Sequence, residues 1–181
     1  MIDLVPEPIS FRPATHADIP ALEALIPLSM SALGASVYSP EELEIVLLLV
    51  GVDPQLIEDG TYFAAEHAGK IVACGGWSYR KKLYGGSGVD AAPARLDPAT
   101  DPARIRAFFV HPDYAGQRLG SRLLDLCESA ARQAGFRRME LGATRPGEAL
   151  YAKHGYRGLE TIIQSTRDGR SLPLLRMAKE L

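Results

Sequence analysis

The sequence predicts a mixed α/β fold of the α+β kind, with antiparallel hairpins lying next to one another along the chain. Three observations carry this reading. Apolar spacing changes from helical to alternating after Asp59-Gly60, and alternating runs come in pairs joined by two-residue turns at Ala68-Gly69 and Asp168-Gly169. An amphipathic stretch from Leu119 to Ala134 then separates two apolar strands.

Taken in order, Ile9-Ser10-Phe11-Arg12 reads as a short strand, and Ile19, Leu22, Ile26, Met30 and Leu33 follow at helical spacing. Thr15 and Asp18 form a capping box, and Pro27 is expected to kink or split this first helix. Ser39, Pro40 and Glu42 start a second helix whose buried face is expected at Leu43, Leu47 and Val50. Thr61 to Glu66 and Lys70 to Tyr79 form a hairpin, and Arg80 to Ala103, rich in glycine, proline and charge, reads as a long connection. Ile105 to Val110 is an apolar strand closed by His111-Pro112. The helix after it carries a stripe of Leu119, Leu123, Cys127, Ala130 and Ala134, and Gly135 ends it. Arg137 to Leu141 is a strand, Glu148 to His154 a short helix ended by Gly155, and Tyr156 to Thr166 and Ser171 to Ala178 the final two strands.

The chain has 181 residues, which fits one domain spanning 1–181. Lys and Arg total 20 against 22 for Asp and Glu, a net charge of −2, so bulk charge gives no field for a nucleic acid. Cys74 and Cys127 lack the spacing of a zinc site or disulfide framework, and both sit at core positions, which points to a reducing, cytoplasmic setting. Met1 to Ile9 has neither the basic nor the apolar region of a signal peptide, and Ile45 to Val52 is too short to span a membrane. The histidines, His16, His67, His111 and His154, show no metal-ligand spacing, so no metal is expected.

The chemistry concentrates in Val110-His111-Pro112-Asp113-Tyr114-Ala115-Gly116-Gln117-Arg118-Leu119-Gly120-Ser121-Arg122. A strand runs into a glycine-bearing turn that opens a long helix. Free amides at a helix start attract anions, and glycines let phosphate oxygens approach closely. No acidic residue lies between Tyr114 and Leu124, whereas Arg118 and Arg122 do, a composition suited to a diphosphate. No Gly-Lys-Ser/Thr follows and Gly-x-Gly-x-x-Gly is absent, so neither a Walker loop nor a dinucleotide fingerprint is present.

With its surroundings, this segment resembles the acetyl-CoA-binding motif of the GNAT-type N-acetyltransferase superfamily. Ala149-Leu150-Tyr151-Ala152-Lys153-His154-Gly155-Tyr156 is similar to the family's late helix motif, and Ile9 to Thr15 with Asp18-Ile19-Pro20 to its usual start. The resemblance implies a GNAT-type fold, a central, mostly antiparallel twisted sheet of about six to seven strands flanked by about four helices. It also implies acetyl-CoA as co-substrate and direct transfer of acetyl to a primary amine of a small molecule, peptide or protein in a ternary complex. Carried over by position, Ala115, Arg118 and Gly120 stand where the family has Arg or Gln, Gly or Ala, and Gly or Ala; two of the three depart from it. Gly116, Gln117, Leu119 and Ser121 complete the diphosphate turn. Phe109 and Val110 take the role of the strand whose backbone meets the pantetheine arm and the acetyl carbonyl, an oxyanion-type contact. Tyr151 matches the tyrosine that protonates the departing thiolate.

A general base is harder to find, because Arg104 to Val110 contains no carboxylate. Glu66, Glu140 and His111 are candidates acting through water. An alkylamine of pKa ~10.4 is only about one part in a thousand neutral near pH 7.4, whereas an α-amine of pKa ~8 is about a fifth neutral and needs no base. Acceptor recognition is expected in the first two helices and the long connection, with Trp77, Tyr79, Tyr84 and Arg80-Lys81-Lys82 as candidates. An alternative reading is an acyl-CoA sensor or interaction module that has lost catalysis. The resemblance also suggests a homodimer, with Ser171 to Ala178 as a strand able to pair across chains.

Overall fold

A computed structural model describes residues 8–81 and 93–181. Its centre is a seven-stranded sheet in the order β1-β2-β3-β4-β5-β7-β6, formed by Ser10–Pro13, Tyr62–His67, Lys70–Ser78, Ala103–Val110, Arg138–Ala143, Arg157–Ser165 and Ser171–Glu180 for β1 to β7. Every neighbouring pair is antiparallel except β4 and β5. Helices α1 (Ile19–Gly34), α2 (Pro40–Leu49) and α3 (Pro54–Glu58) supply the core on one face; α4 (Leu119–Gln133) and α5 (Glu148–Lys153) serve the other. The sequence anticipates four of these helices. The fifth, α3, is a single turn after Asp53-Pro54 that buries Leu56 and Ile57.

Local chemistry accounts for most boundaries. At α2, Ser39 Oγ accepts from the Glu42 amide at 3.1 Å while Glu42 accepts from the Ser39 amide at 2.9 Å, the reciprocal cap the sequence announces. Ala68 and Gly69 both have positive φ, as the β2–β3 hairpin turn requires. Three expectations change. Pro27 does not split α1, which runs unbroken through it. The face α2 buries centres on Ile45 and Val46, with Leu43, Leu47 and Val50 half-buried beside them. On α4 the stripe ends at Ala131, and Ala134 is exposed.

The position of β7 also corrects an expectation. It pairs with β5 on one side and β6 on the other, so neither edge is left for a second chain. The outer strand at this end of the sheet is β6.

Two features of β4 prepare the site. First, β4 meets β5 only through Ala103↔Met139 and Arg104↔Glu140, after which β5 continues against β7 alone. Glu140, buried at this junction, joins Arg104 of β4 to Arg176 of β7 by ion pairs. The strands are therefore held together at one end and open at the other. Second, Cys74 faces Phe109 and Gly76 faces Arg106, so Ala107 and Phe108 bulge opposite the single residue Gly75. Ala107 adopts φ 56°, and its carbonyl accepts from the Tyr62 hydroxyl at 3.3 Å.

The bulge turns the Phe108 ring onto Gly75, where a Cβ would lie 2.7 Å from ring carbon Cε2. Gly75→Ala is expected to cost about 1–3 kcal/mol by overpacking, read from urea unfolding, and Phe108→Leu in the same chain should restore part of it. A Gly75→Ala protein as stable as wild type would contradict this packing.

Candidate active site

The opening between β4 and β5 forms a pocket on the α1–α2 face. Ile105 to Phe109, Leu141, Gly142 and Thr144 line its strand side, Met30, Val46, Leu49, Val50 and Gly51 its helical side, and Gln164, Leu174 and Tyr151 complete it. The walls are mostly apolar. Among the described lining residues there is no carboxylate and no histidine, and Arg106 is the one formally charged side chain.

Tyr151 belongs to α5, on the other side of the sheet from α2, yet lines this pocket. Its ring packs edge-on against Phe108 at 6.2 Å and Tyr156 at 5.8 Å between centroids. Burial raises the pKa of the phenol well above its ordinary value, so it remains a neutral hydrogen-bond donor throughout the physiological range.

On the α4 side, the turn from Ala115 to Ser121 has the geometry of an amide nest. Gly116 has φ 79° and Arg118, the N-cap of α4, lies in the left-handed region at φ 62°, ψ 19°. No side chain caps α4 and its first turn carries no acid, so its opening amides are available to an anion. Leu119 is buried and contributes only its amide, while Ala115, Gly116, Gln117 and Arg118 are exposed. Gly120 lies against Leu150 of α5, where an added Cβ would come within 3.1 Å of Cδ2. Ser121 Oγ meets His154 Nε2 at 2.9 Å, a second tie between the start of α4 and the end of α5. A diphosphate fits these residues, which offer donors without competing acid and a close backbone approach, and α5, packed on the turn through Leu150 and His154, carries Tyr151 to the pocket.

The β4 backbone is more heavily engaged than the sequence suggests. The Val110 amide donates to Ser29 Oγ at 3.1 Å, and the Cys74 thiol, whose pKa is pushed up to about 12 by burial, donates to the Ala107 carbonyl at 3.7 Å. Phe109 lines the pocket; Val110 does not. Ser29, buried on α1, is a functional neighbour that sequence reasoning missed, because helical spacing marks it only as one more inward position. Arg106 and its partner Asp53 were missed as well. Their signal was a second arginine, two residues after Arg104, directly before the apolar run Ala107 to Val110.

The candidate bases move away from the chemistry. Glu66 pairs with Arg12, Glu140 with Arg104 and Arg176, and His111 accepts from the Asp113 amide; none lines the pocket. Trp77 is buried against Phe136 on the α4 face and Arg80 is paired with Asp59 at 2.6 Å, so Trp77, Tyr79, Arg80 and Lys81 are not pocket residues. Lys82 and Tyr84 lie outside the described residues. The first two helices do contribute, through Met30, Val46 and Leu49.

A family model described as the acetyltransferase (GNAT) family matches residues 31–156. The chain belongs to the GNAT acetyltransferase family. Solved GNAT structures share its fold. One, described as a GCN5-related N-acetyltransferase: aminotransferase, class-II, from Rhodopseudomonas palustris, is 23% identical with a TM-score of 0.70 over 98% of this chain and 99% of that one. The putative acetyltransferase yncA from Salmonella typhimurium, with acetyl-CoA, gives 18% identity and 0.64 over 97% and 95%. The PaiA N-acetyltransferase from Thermoplasma acidophilum, in complex with coenzyme A, gives 15% and 0.61 over 97% and 100%. No curated protein matches the chain significantly. Membership of the GNAT family establishes acetyl transfer as the activity class.

Arg118 occupies, in a left-handed conformation, the position where the GNAT pattern has a small residue. Relief of that strain in Arg118→Gly is expected to add about 0.5–1 kcal/mol of stability, seen as a small rise in Tm. Coenzyme A affinity should fall as a charge is lost from the turn. Unchanged affinity would show that the amides act without Arg118.

Proposed function

We propose that the protein transfers acetyl from acetyl-CoA to a primary amine by direct attack in a ternary complex, as one acetyltransferase domain in a reducing cytoplasmic setting. The observation carrying this reading is that a buried tyrosine lines the pocket while its helix abuts the amide turn, so diphosphate site and pocket converge on Tyr151. Amides from Gly116 to Ser121 hold the diphosphate, with Ala115 and Gln117 at its outer rim. The Phe109–Val110 stretch runs beside the pantetheine arm. Tyr62, Cys74 and Ser29 fix the β4 backbone so that its polar groups keep one orientation.

In the reaction, the neutral amine nitrogen bonds to the thioester carbonyl carbon and the carbon–sulfur bond breaks. Tyr151 gives its proton to the departing thiolate, and the extra proton that the nitrogen loses returns through water to Tyr151, which ends the turnover neutral. A lining without carboxylate or histidine calls for an acceptor whose bound amine reaches its neutral form without a side-chain base, because a strongly basic alkylamine is almost wholly protonated near pH 7. Burial keeps Tyr151 in its neutral, donor form; since a thiolate is a weaker base than a phenolate, the phenol acts by hydrogen-bonding to the sulfur as negative charge develops there in the transition state.

Tyr151→Phe is expected to lower kcat by roughly 100-fold with coenzyme A affinity changed less than about twofold, measured by thiol release and calorimetry. Unchanged turnover would remove Tyr151 from the chemistry. The pH profile of kcat/KM should rise as the acceptor amine deprotonates. It should show no fall up to about pH 10, because the raised Tyr151 pKa keeps the donor protonated past the value of a free phenol. A descending limb near neutrality would point to another acid.

A further inference from the structure

Acetyl transfer alone does not explain Arg106 and Asp53. Arg106 stands inside β4 immediately before the bulge, with its side chain 3% exposed, and forms a close ion pair with Asp53, 6% exposed, at the start of α3. Arg106 Nη2 and Asp53 Oδ2 meet each other in this pair, while Arg106 Nε is sealed from solvent without a hydrogen-bond partner. Desolvation lowers the arginine's pKa, so the charge is held there against a penalty. Buried ion pairs are a poor source of stability, and apolar residues of similar volume often serve as well. A guanidinium, however, offers five donors in a rigid fork that matches a carboxylate. Arg106 is one of the residues that line a pocket whose other walls, at Val46, Leu49, Leu141 and Leu174, are apolar, with its buried guanidinium behind that lining.

We propose that Arg106 binds a carboxylate carried by the acceptor, which makes the acceptor a free α-amino acid with an apolar side chain. This inference rests on the amine-acetylating reading above and narrows it. The apolar walls take the side chain and Arg106 takes the carboxylate, leaving the amine to face the opening toward Tyr151. Asp53 keeps the guanidinium paired when no acceptor is bound, and an entering carboxylate shares or replaces it. The pairing also assists the chemistry. A free carboxylate next to an ammonium favours its protonated form, and a guanidinium holding that carboxylate offsets the effect, which matters in a pocket without a base. A peptide N-terminus lacks the adjacent carboxylate, and a diamine would bring a second cation to a wall with no free acid.

The test compares three ligands that share one apolar body: L-leucine, L-leucinamide and 3-methylbutylamine, with the corresponding phenylalanine series as a second size. Each is titrated calorimetrically into the protein saturated with coenzyme A. The acids are expected to bind at least tenfold more tightly than the amides and amines, and Arg106→Gln should abolish that preference while coenzyme A affinity is retained. Because Arg106→Gln leaves Asp53 buried without its partner, the double variant Arg106→Met/Asp53→Leu removes both charges and should lose the preference equally. Amides or amines binding as tightly as the acids, no binding in either series, or a variant that keeps the preference would overturn the proposal. Thiol release from acetyl-CoA is followed separately. Acids that bind with Arg106-dependent preference but are never acetylated would contradict the amine-acetylating reading and leave the carboxylate assignment standing.

Discussion

The constraint on which the rest of this structure depends is the limited pairing of β4 with β5. Two residues on each strand form the parallel ladder, and Glu140 holds the junction by meeting arginines from both neighbouring strands. An unpaired stretch in the middle of a sheet leaves backbone donors and acceptors without a ladder partner, a costly arrangement unless other groups take them. Here Ser29 of α1 takes the Val110 amide, while Tyr62 and Cys74, from β2 and β3, both donate to the Ala107 carbonyl at the bulge. Beyond the two-residue junction, the Ser29 contact does for Val110 what a ladder bond would do.

That opening lets two sides of the sheet share one site. The amide turn at the start of α4 and the pocket beneath α2 lie on opposite faces, and a closed sheet would separate them. Tyr151 bridges them from α5, held by Phe108 on the bulge and by Tyr156, while Leu150, one residue earlier, rests on Gly120. Packing thus couples the bulge, the tyrosine and the phosphate turn. The buried Arg106–Asp53 pair sets one charged residue, with its Nε unpartnered, among the otherwise uncharged described residues that line the pocket.

Much of this was legible in the sequence because it depends on local rules. The Ser39–Glu42 cap, the positive-φ turn at Ala68-Gly69, Gly155 after α5 and the acid-free stretch before α4 are each set by neighbouring residues. What was not legible depends on residues far apart in the chain. Ser29 and Val110 meet across 81 positions, and no periodicity marks that bond. The carboxylates offered as bases were judged by type and place in the chain, but Glu66 and Glu140 are committed to arginines on other strands. Pro27 was read by its intrinsic tendency, yet tertiary packing of Leu22, Ile26 and Met30 carries α1 through it. Trp77 looked available for recognition, but strand alternation placed it on the α4 face in the core.

The central claim is that the phosphate turn and the pocket are two ends of one site that meets at Tyr151 through the β4–β5 opening. A crystal structure with coenzyme A tests it most directly. The account predicts the diphosphate on the amides of Gly116 to Ser121, the pantetheine arm threaded between β4 and β5, and the sulfur within hydrogen-bond reach of Tyr151 Oη. Coenzyme A bound elsewhere, or with its sulfur directed away from Tyr151 and the pocket, would contradict it.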